Sequence, residues 1–245
     1  FYPFASSIIF GVFLYVAGIN AMWPLVSFFL CFFVAFTVIQ EFVKGVRARH
    51  KNIGEAYHTA LLNLTLRNTR RYGGYIVHFG IVFMFIGFTG NAFTIEGKAE
   101  ISVGESFTTG DYEIRLDGFN NGENALYSFS TANLTILKNG QAIATEFPGK
   151  RHYLIQDTPT TEVAIYSSFM EDLYIVYSDV PREFRQNRAE FITYINPLII
   201  FVWIGGFVIV FGGIIAMIPN IMTQSKIAGL EEPAESKKET EFSTK

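Results

Sequence analysis

The sequence predicts an α-helical integral membrane protein of about four transmembrane helices that carries one extracytoplasmic β-rich domain. Three observations carry that class. Half of the 245 residues are hydrophobic and only 17% are charged, with a mean hydropathy of +0.28, which sets the chain apart from an ordinary globular enzyme. Phe1–Gln40 contains no charged side chain. Further on, Asn139-Gly140 lies between the short runs Leu134–Leu137 and Ala142–Thr145, a strong hairpin signal in a polar stretch.

Each element follows from the pattern in turn. Phe1–Gln40 is roughly twice the length of one span at about 20 residues each, so residues 1–42 hold two transmembrane helices. The break falls at Gly18–Pro24, where Gly and Asn favour a turn and Pro24 suits a first helical turn. Trp23 is placed as an interfacial anchor. Residues 43–71 form a basic loop, with Lys44, Arg47, Arg49, Lys51, Arg67, Arg70 and Arg71 against Glu55 alone. The excess of positive charge makes this loop cytoplasmic. Within it Ile53, Ala56, Tyr57, Ala60, Leu61 and Leu64 follow the spacing of an amphipathic helix.

A third transmembrane helix is expected over 72–93 and a fourth over 191–219, its apolar core running from about Pro197 and ending before Pro219. Between them, 94–190 reads as a single soluble domain with strands at Glu113–Leu116, Thr161–Tyr166 and Leu173–Tyr177. Odd crossings on either side put it outside the cytoplasm, and acidic side chains outnumber basic ones in it. Residues 220–245, polar and broken by Pro233, read as a disordered cytoplasmic tail. The start at Phe1, with no charged n-region before the apolar stretch, does not read as a signal peptide. It suggests a piece of a longer polypeptide.

His78 is the most informative residue. It lies inside the uncharged run Tyr72–Ile95, fenced by Arg70-Arg71 and Glu96. An ionisable side chain in a membrane span is costly and marks a functional site by default. Desolvation favours the neutral ring, which leaves a nitrogen free to bind a metal. Gly73, Gly80 and Gly87 recur at heptad spacing, as do Gly205-Gly206 and Gly212-Gly213; both stripes read as helix packing. His78 lies about 140° away from the glycine stripe on an ideal helix. Gly74, Tyr75 and Arg71 are on or near its face, with Gly74 one turn towards the cytoplasm and leaving room for a flat ligand. A porphyrin suits this pattern, with imidazole for the iron and Arg71 for the propionates. A structural histidine hydrogen-bonded to a neighbouring helix suits it equally.

The string Arg70–Gly80, RRYGGYIVHFG, resembles the C-terminal half of the CcmF-type cytochrome c haem lyases. So do Thr158–Ile165 (TPTTEVAI), Glu171–Val176 (EDLYIV), Tyr194–Leu198 with Trp203–Gly206 and Gly212-Gly213, and the spacing Glu41, Gly45, Arg49. The matches occur in the same order over most of the chain. Phe1–Phe36 matches only in being apolar, and Glu96–Lys150 matches weakly.

That resemblance implies attachment of haem to CxxCH apocytochromes on the outer face of an energy-transducing membrane. It implies haem b as a permanent cofactor, with a transient haem substrate delivered by a periplasmic haem chaperone and electrons drawn from quinol. His78 occupies the position of one axial histidine of the b haem. The other axial ligand and the catalytic tryptophan-rich segment belong to the N-terminal half of the family. No catalytic residue is therefore assigned here, and the expected partner is that N-terminal half or a split subunit carrying it. The implied location is the bacterial inner membrane with a periplasmic β domain, or the mitochondrial inner membrane.

Other candidates are weaker. Cys31 is the single cysteine, so no intrachain disulfide, CxxC pair or CxxCH haem attachment exists. His152 and Glu162 read as a solvated histidine and a satisfied carboxylate, and Asn133-Leu134-Thr135 as an incidental sequon. No phosphate-binding loop or basic aromatic patch points to nucleotide or nucleic acid. The rival readings are a paralogue dedicated to one cytochrome, a b-type electron-transfer subunit without lyase activity, and a membrane scaffold presenting the β domain. The charge bias makes one sharp expectation. Cysteine labelling in intact cells should place His58 on one side of the membrane and Asn139 on the other. Labelling of both from the same side would defeat the topology.

Overall fold

The computed structural model describes residues 1–178 and 187–219; the expected tail at 220–245 lies outside them. The chain divides into two compact units, Phe1–Ile86 with the segment from Phe201 onward, and Gly87–Ile200.

The first unit is helical. α1 (Tyr2–Val16) and α2 (Met22–Ile53) are separated by a short turn in which Gly18 takes φ 105°. Phe10 of α1 stacks on Phe32 of α2 at 4.3 Å between centroids. α2 has 32 residues, about 48 Å at 1.5 Å per residue, well beyond a bilayer core of about 30 Å. Its uncharged part ends at Gln40 and the remainder, starting with Glu41, is the charged extension. The basic loop expected from residue 43 is therefore helical as far as Ile53. The helix-forming Lys44, Arg47, Ala48, Arg49 and Lys51 carry α2 on until Gly54 caps it at φ 76°. α3 (Tyr57–Arg67) is the amphipathic helix, with Ala60 and Leu64 buried.

α4 (Thr69–Gly90) and a 3-10 turn at Asn91–Phe93 follow, and α5 spans Ile200–Met217. α2, α4 with its 3-10 turn, and α5 are each long and apolar enough to cross a membrane; α1, at 15 residues, is shorter. The expected fourth crossing at 191–219 starts later than its boundary, because residues up to Pro197 belong to a strand.

Small residues set the contact between α4 and α5. A Cβ on Gly80 would sit 2.8 Å from the Gly205 carbonyl oxygen, and one on Gly73 would sit 2.6 Å from the Ala216 nitrogen. Gly212 meets Val77 and Gly73 in the same way. Removing side chains lets the two backbones approach and maximises dispersion contact where no hydrophobic effect operates.

The second unit is a sandwich of two antiparallel sheets. The strands are β1 (Ile95–Ser102), β2 (Ser106–Thr109), β3 (Tyr112–Glu123), β4 (Tyr127–Lys138), β5 (Gln141–Glu146), β6 (Gly149–Tyr153), β7 (Thr158–Glu162), β8 (Ala164–Ser167), β9 (Glu171–Ser178) and β10 (Arg188–Pro197). One sheet runs β1-β10-β9-β8 and the other β2-β3-β4-β6-β7, with β5 also paired to β4. Alternation decides what is inside. Leu173, Ile175 and Tyr177 of β9 face Ile114, Leu116, Leu134 and Ile136 of the other sheet in one buried core. Asn139 and Gly140 have φ of 54° and 75°, the left-handed pair that a tight β4–β5 hairpin needs. The single strand expected at Thr161–Tyr166 is two strands. The chain passes from one sheet to the other at Val163, between β7 and β8.

Where the chain leaves the sandwich, both ends are tied together. Ile95 of β1 pairs with Ile195 of β10, Thr94 Oγ1 donates to Asn196 Oδ1 at 3.0 Å, and the Pro197 carbonyl leaves no room for a side chain on Gly90. Close by, Tyr112 O–H donates to Glu171 at 2.9 Å, and Lys138 Nζ lies 3.2 Å from the same carboxylate and 4.4 Å over the Tyr112 ring. Burial, then the Glu171 hydrogen bond, raises the Tyr112 phenol above its ordinary value.

Two outcomes follow. Gly80→Leu should destabilise the helical unit by about 3 kcal/mol, the upper end for overpacking, whereas Gly206→Leu, with nothing within 4 Å of its Cβ position, should stay within about 0.5 kcal/mol; denaturation in detergent reads both. The folded chain holds the Tyr112 proton to higher pH than the unfolded chain does. Its contribution is therefore complete below about pH 10, the unfolded tyrosine value, and is lost as pH rises through the raised folded value. Tyr112→Phe should remove that alkaline slope from urea unfolding curves.

Candidate functional site

The residues singled out in the sequence all fall on α4. Arg71 lies in its first turn, followed by Gly74, Tyr75 and His78. Together with Ile81, Phe85 and Phe88 they recur every three to four residues, so they form one stripe. His78, Ile81, Phe85 and Phe88 are exposed. The glycine seam with α5 occupies a different face of the helix, as the helical angle requires.

The His78 ring is oriented by its own helix. Nδ1 lies 2.7 Å from the Gly74 carbonyl oxygen. A carbonyl can only accept, so Nδ1 is the donor, and in the neutral ring Nε2 keeps its lone pair. Such a bond fixes tautomer and ring plane, as the corresponding bond does in metal-ligating histidines. A Cβ on Gly74 would meet nothing within 4 Å, so the surface beside the imidazole is open. The neighbouring-helix partner allowed for His78 by sequence is replaced by this bond within α4.

Arg71 is held from two sides. Its Nη2 lies 2.9 Å from Glu41 Oε2 on α2, and its Nε donates to Tyr75 Oη at 3.1 Å. The guanidinium also lies over the Tyr72 and Tyr75 rings at 5.8 and 5.6 Å. Phe42 of α2 packs on Tyr72 at 5.0 Å. A positive charge is thus positioned two turns from His78, with an aromatic face between. An imidazole with a free lone pair, an adjacent gap and a fixed guanidinium fit a planar, metal-bearing, carboxylate-bearing ligand. Among the described residues no cluster of three His, Cys, Asp or Glu forms an ordinary metal site.

Glu41 is the partner that sequence reasoning did not assign. Its signal was present, since it is the first charged residue of the chain and opens the Glu41, Gly45, Arg49 spacing. Each member of that spacing has a contact on one face of α2. Glu41 meets Arg71, Gly45 abuts Leu64 and Tyr72, and Arg49 makes a paired contact with Glu55 at 2.6 and 3.0 Å. The Arg49 hydrogen bonds hold the Glu55 carboxyl below its ordinary value.

The remaining histidines lie elsewhere. His50 stacks on Tyr57, with Nδ1 2.6 Å from the Glu55 carbonyl, and His58 is exposed on α3. His152 belongs to β6, 3.0 Å from Asp157, and Glu162 pairs with Arg151 at 2.9 Å. Cys31 is buried, its thiol 3.9 Å from the Val82 carbonyl.

The family model of the CcmF C-terminal β-sandwich matches residues 92–197, which is the sandwich with its 3-10 turn. The chain is 30% identical over 148 residues to cytochrome c-type biogenesis protein CcmF of Haemophilus influenzae, covering 60% of this chain and 22% of that protein. The CcmF of Pseudomonas fluorescens is 26% identical over 208 residues, covering 82% of this chain and 29% of that one. Among solved structures, a cytochrome c heme lyase CcmF superposes with a TM-score of 0.70 over 88% of this chain and 34% of that chain, at 15% identity. The matches span less than a third of each of these two CcmF relatives. Residues 92–197 match the CcmF C-terminal β-sandwich, and the chain is similar to the C-terminal part of the CcmF-type cytochrome c haem lyases.

Proposed function

We propose that this chain is part of a membrane haem lyase that attaches haem to the CxxCH cysteines of apocytochrome c, and that His78 is one axial ligand of a b-type haem. The observation that supports the reading is the 2.7 Å contact of His78 Nδ1 with the Gly74 carbonyl, which leaves Nε2 of the neutral ring available to a ligand. The similarity to proteins named as cytochrome c biogenesis factors supports the chemistry.

In this reading each residue has a physical task. His78 presents a neutral, pre-oriented lone pair to iron. Gly74 keeps the space beside it clear. Arg71, fixed by Glu41 and Tyr75, balances propionate charge near the end of the helix. Such a haem supplies one-electron redox chemistry when bound, and the protein supplies ligation, orientation and exclusion of water. The second axial ligand and the tryptophan-rich substrate site come from the N-terminal half of the lyase or a split partner. The basic residues between Lys44 and Arg71 support a β domain on the periplasmic side of a bacterial inner membrane. There it meets the haem chaperone and apocytochrome c, with quinol as the source of electrons.

Wild type and His78→Ala, purified with the partner half and matched for expression, test this directly. The wild type should show a bis-imidazole, low-spin b-haem spectrum. In the variant that signature should vanish and haem content should fall about tenfold or more, since even outer-shell partners of metal histidines are worth roughly 10–100-fold. His78→Met should retain haem at a shifted potential, because axial-ligand identity sets that potential. An unchanged spectrum in His78→Ala excludes the residue as a ligand.

A further inference from the structure

The turn between β8 and β9, Ser168–Met170, places two large apolar side chains in the open. Phe169 is 71% exposed and Met170 64%. Nothing about the fold requires this. The turn is already closed by polar contacts, with Ser168 N–H donating to the Glu171 carbonyl at 3.0 Å and Ser168 O–H to the same oxygen at 2.7 Å. Polar or small residues would serve the same turn at no cost to the core.

The position of the turn explains its composition. Leu198 N–H donates to the Met170 carbonyl at 2.9 Å, and Glu171 pairs with Pro197 in the β9–β10 ladder. Leu198 is two residues before α5, an apolar helix of 18 residues with hydropathy 2.5. Phe169 and Met170 are therefore held, by a backbone bond, at the level where the chain passes from sandwich to membrane span. An aromatic ring and a flexible thioether at that depth suit the boundary between headgroups and acyl chains. The turns at the other end of the sandwich, Gly104-Glu105 and Asn124-Ala125, carry small or polar residues instead.

We infer that the Phe169–Met170 turn dips into the interfacial layer of the lipid bilayer, anchoring the β-sandwich to the membrane surface independently of its two helical connections. The occupant is lipid, because the turn is bonded to Leu198, which leads directly into the apolar α5. The inference rests on α5 crossing a membrane and does not involve the haem ligand.

Spin-label accessibility on the full chain in bilayer nanodiscs tests it. In a Cys31→Ala background, single cysteines replace Phe169 or Met170. Phe211, 60% exposed at mid-α5, and Glu123, exposed at the far end of β3, serve as lipid and water controls. The labels at 169 and 170 should show oxygen-over-nickel accessibility between those of the two controls. A second variant, Phe169→Ser with the label at 170, keeps the test independent of the ring. A water-like ratio at 169 and 170 with a lipid-like Phe211 overturns the inference and leaves the membrane reading intact. Protection from both oxygen and nickel also overturns it and assigns the turn to a protein partner. A water-like Phe211 defeats the membrane reading of α5 and the inference with it.

Discussion

Where α4 and α5 meet, backbone approaches backbone with no side chain between them. Gly80 lies against Gly205 and Ile209, Gly73 against Ala216, and Gly212 against Val77. In a medium as apolar as the side chains themselves, this proximity is the main source of attraction. It also settles the rest of α4. Once one face is committed to α5, His78 must lie on another, and the helix presents its imidazole, the Gly74 gap and Arg71 together. The same commitment leaves α2 to approach through Phe42 and Glu41, which secure the guanidinium.

The sandwich is bound by a related economy of space. Gly97 sits against Thr109 and Thr193, whose hydroxyls are 2.8 Å apart in a buried pair. A side chain there would separate β1 from the strands that cover it. Core and polar network are thus coupled, since the alternation that buries Leu173 and Ile175 also delivers Glu171 to Tyr112 and Lys138.

Much of this was legible in the sequence because the signals are local. Hydropathy exposed the spans and Asn139-Gly140 the hairpin, and an isolated histidine in an apolar run marked the candidate site. The partner of Nδ1 is also local, one turn back, although only coordinates show that the bond forms. The misjudged boundaries share one cause. Ala189, Phe191, Thr193 and Ile195 alternate as the buried face of a strand, but with Ile192 they merge, in composition, into the apolar helix that follows. Val43–Ile53 is charged like a loop, yet its Lys, Arg and Ala residues are good helix formers. The crossing at Val163 is invisible because both flanking segments have strand composition. Glu41–Arg71 needs the register of two helices, which no local pattern encodes.

The pairing of β1 with β10 has a mechanical consequence. Their ends at Ile95 and Ile195 are adjacent, and from there the chain runs into α4 on one side and α5 on the other. A lateral pull on those two helices would load the ladder as a zipper, one rung at a time from Ile95 and Ile195 inward, rather than all rungs in shear. The first resistance is the Thr94–Asn196 hydrogen bond. Rearrangement of the helices in the plane of the membrane would therefore be felt at the mouth of the sandwich before its core.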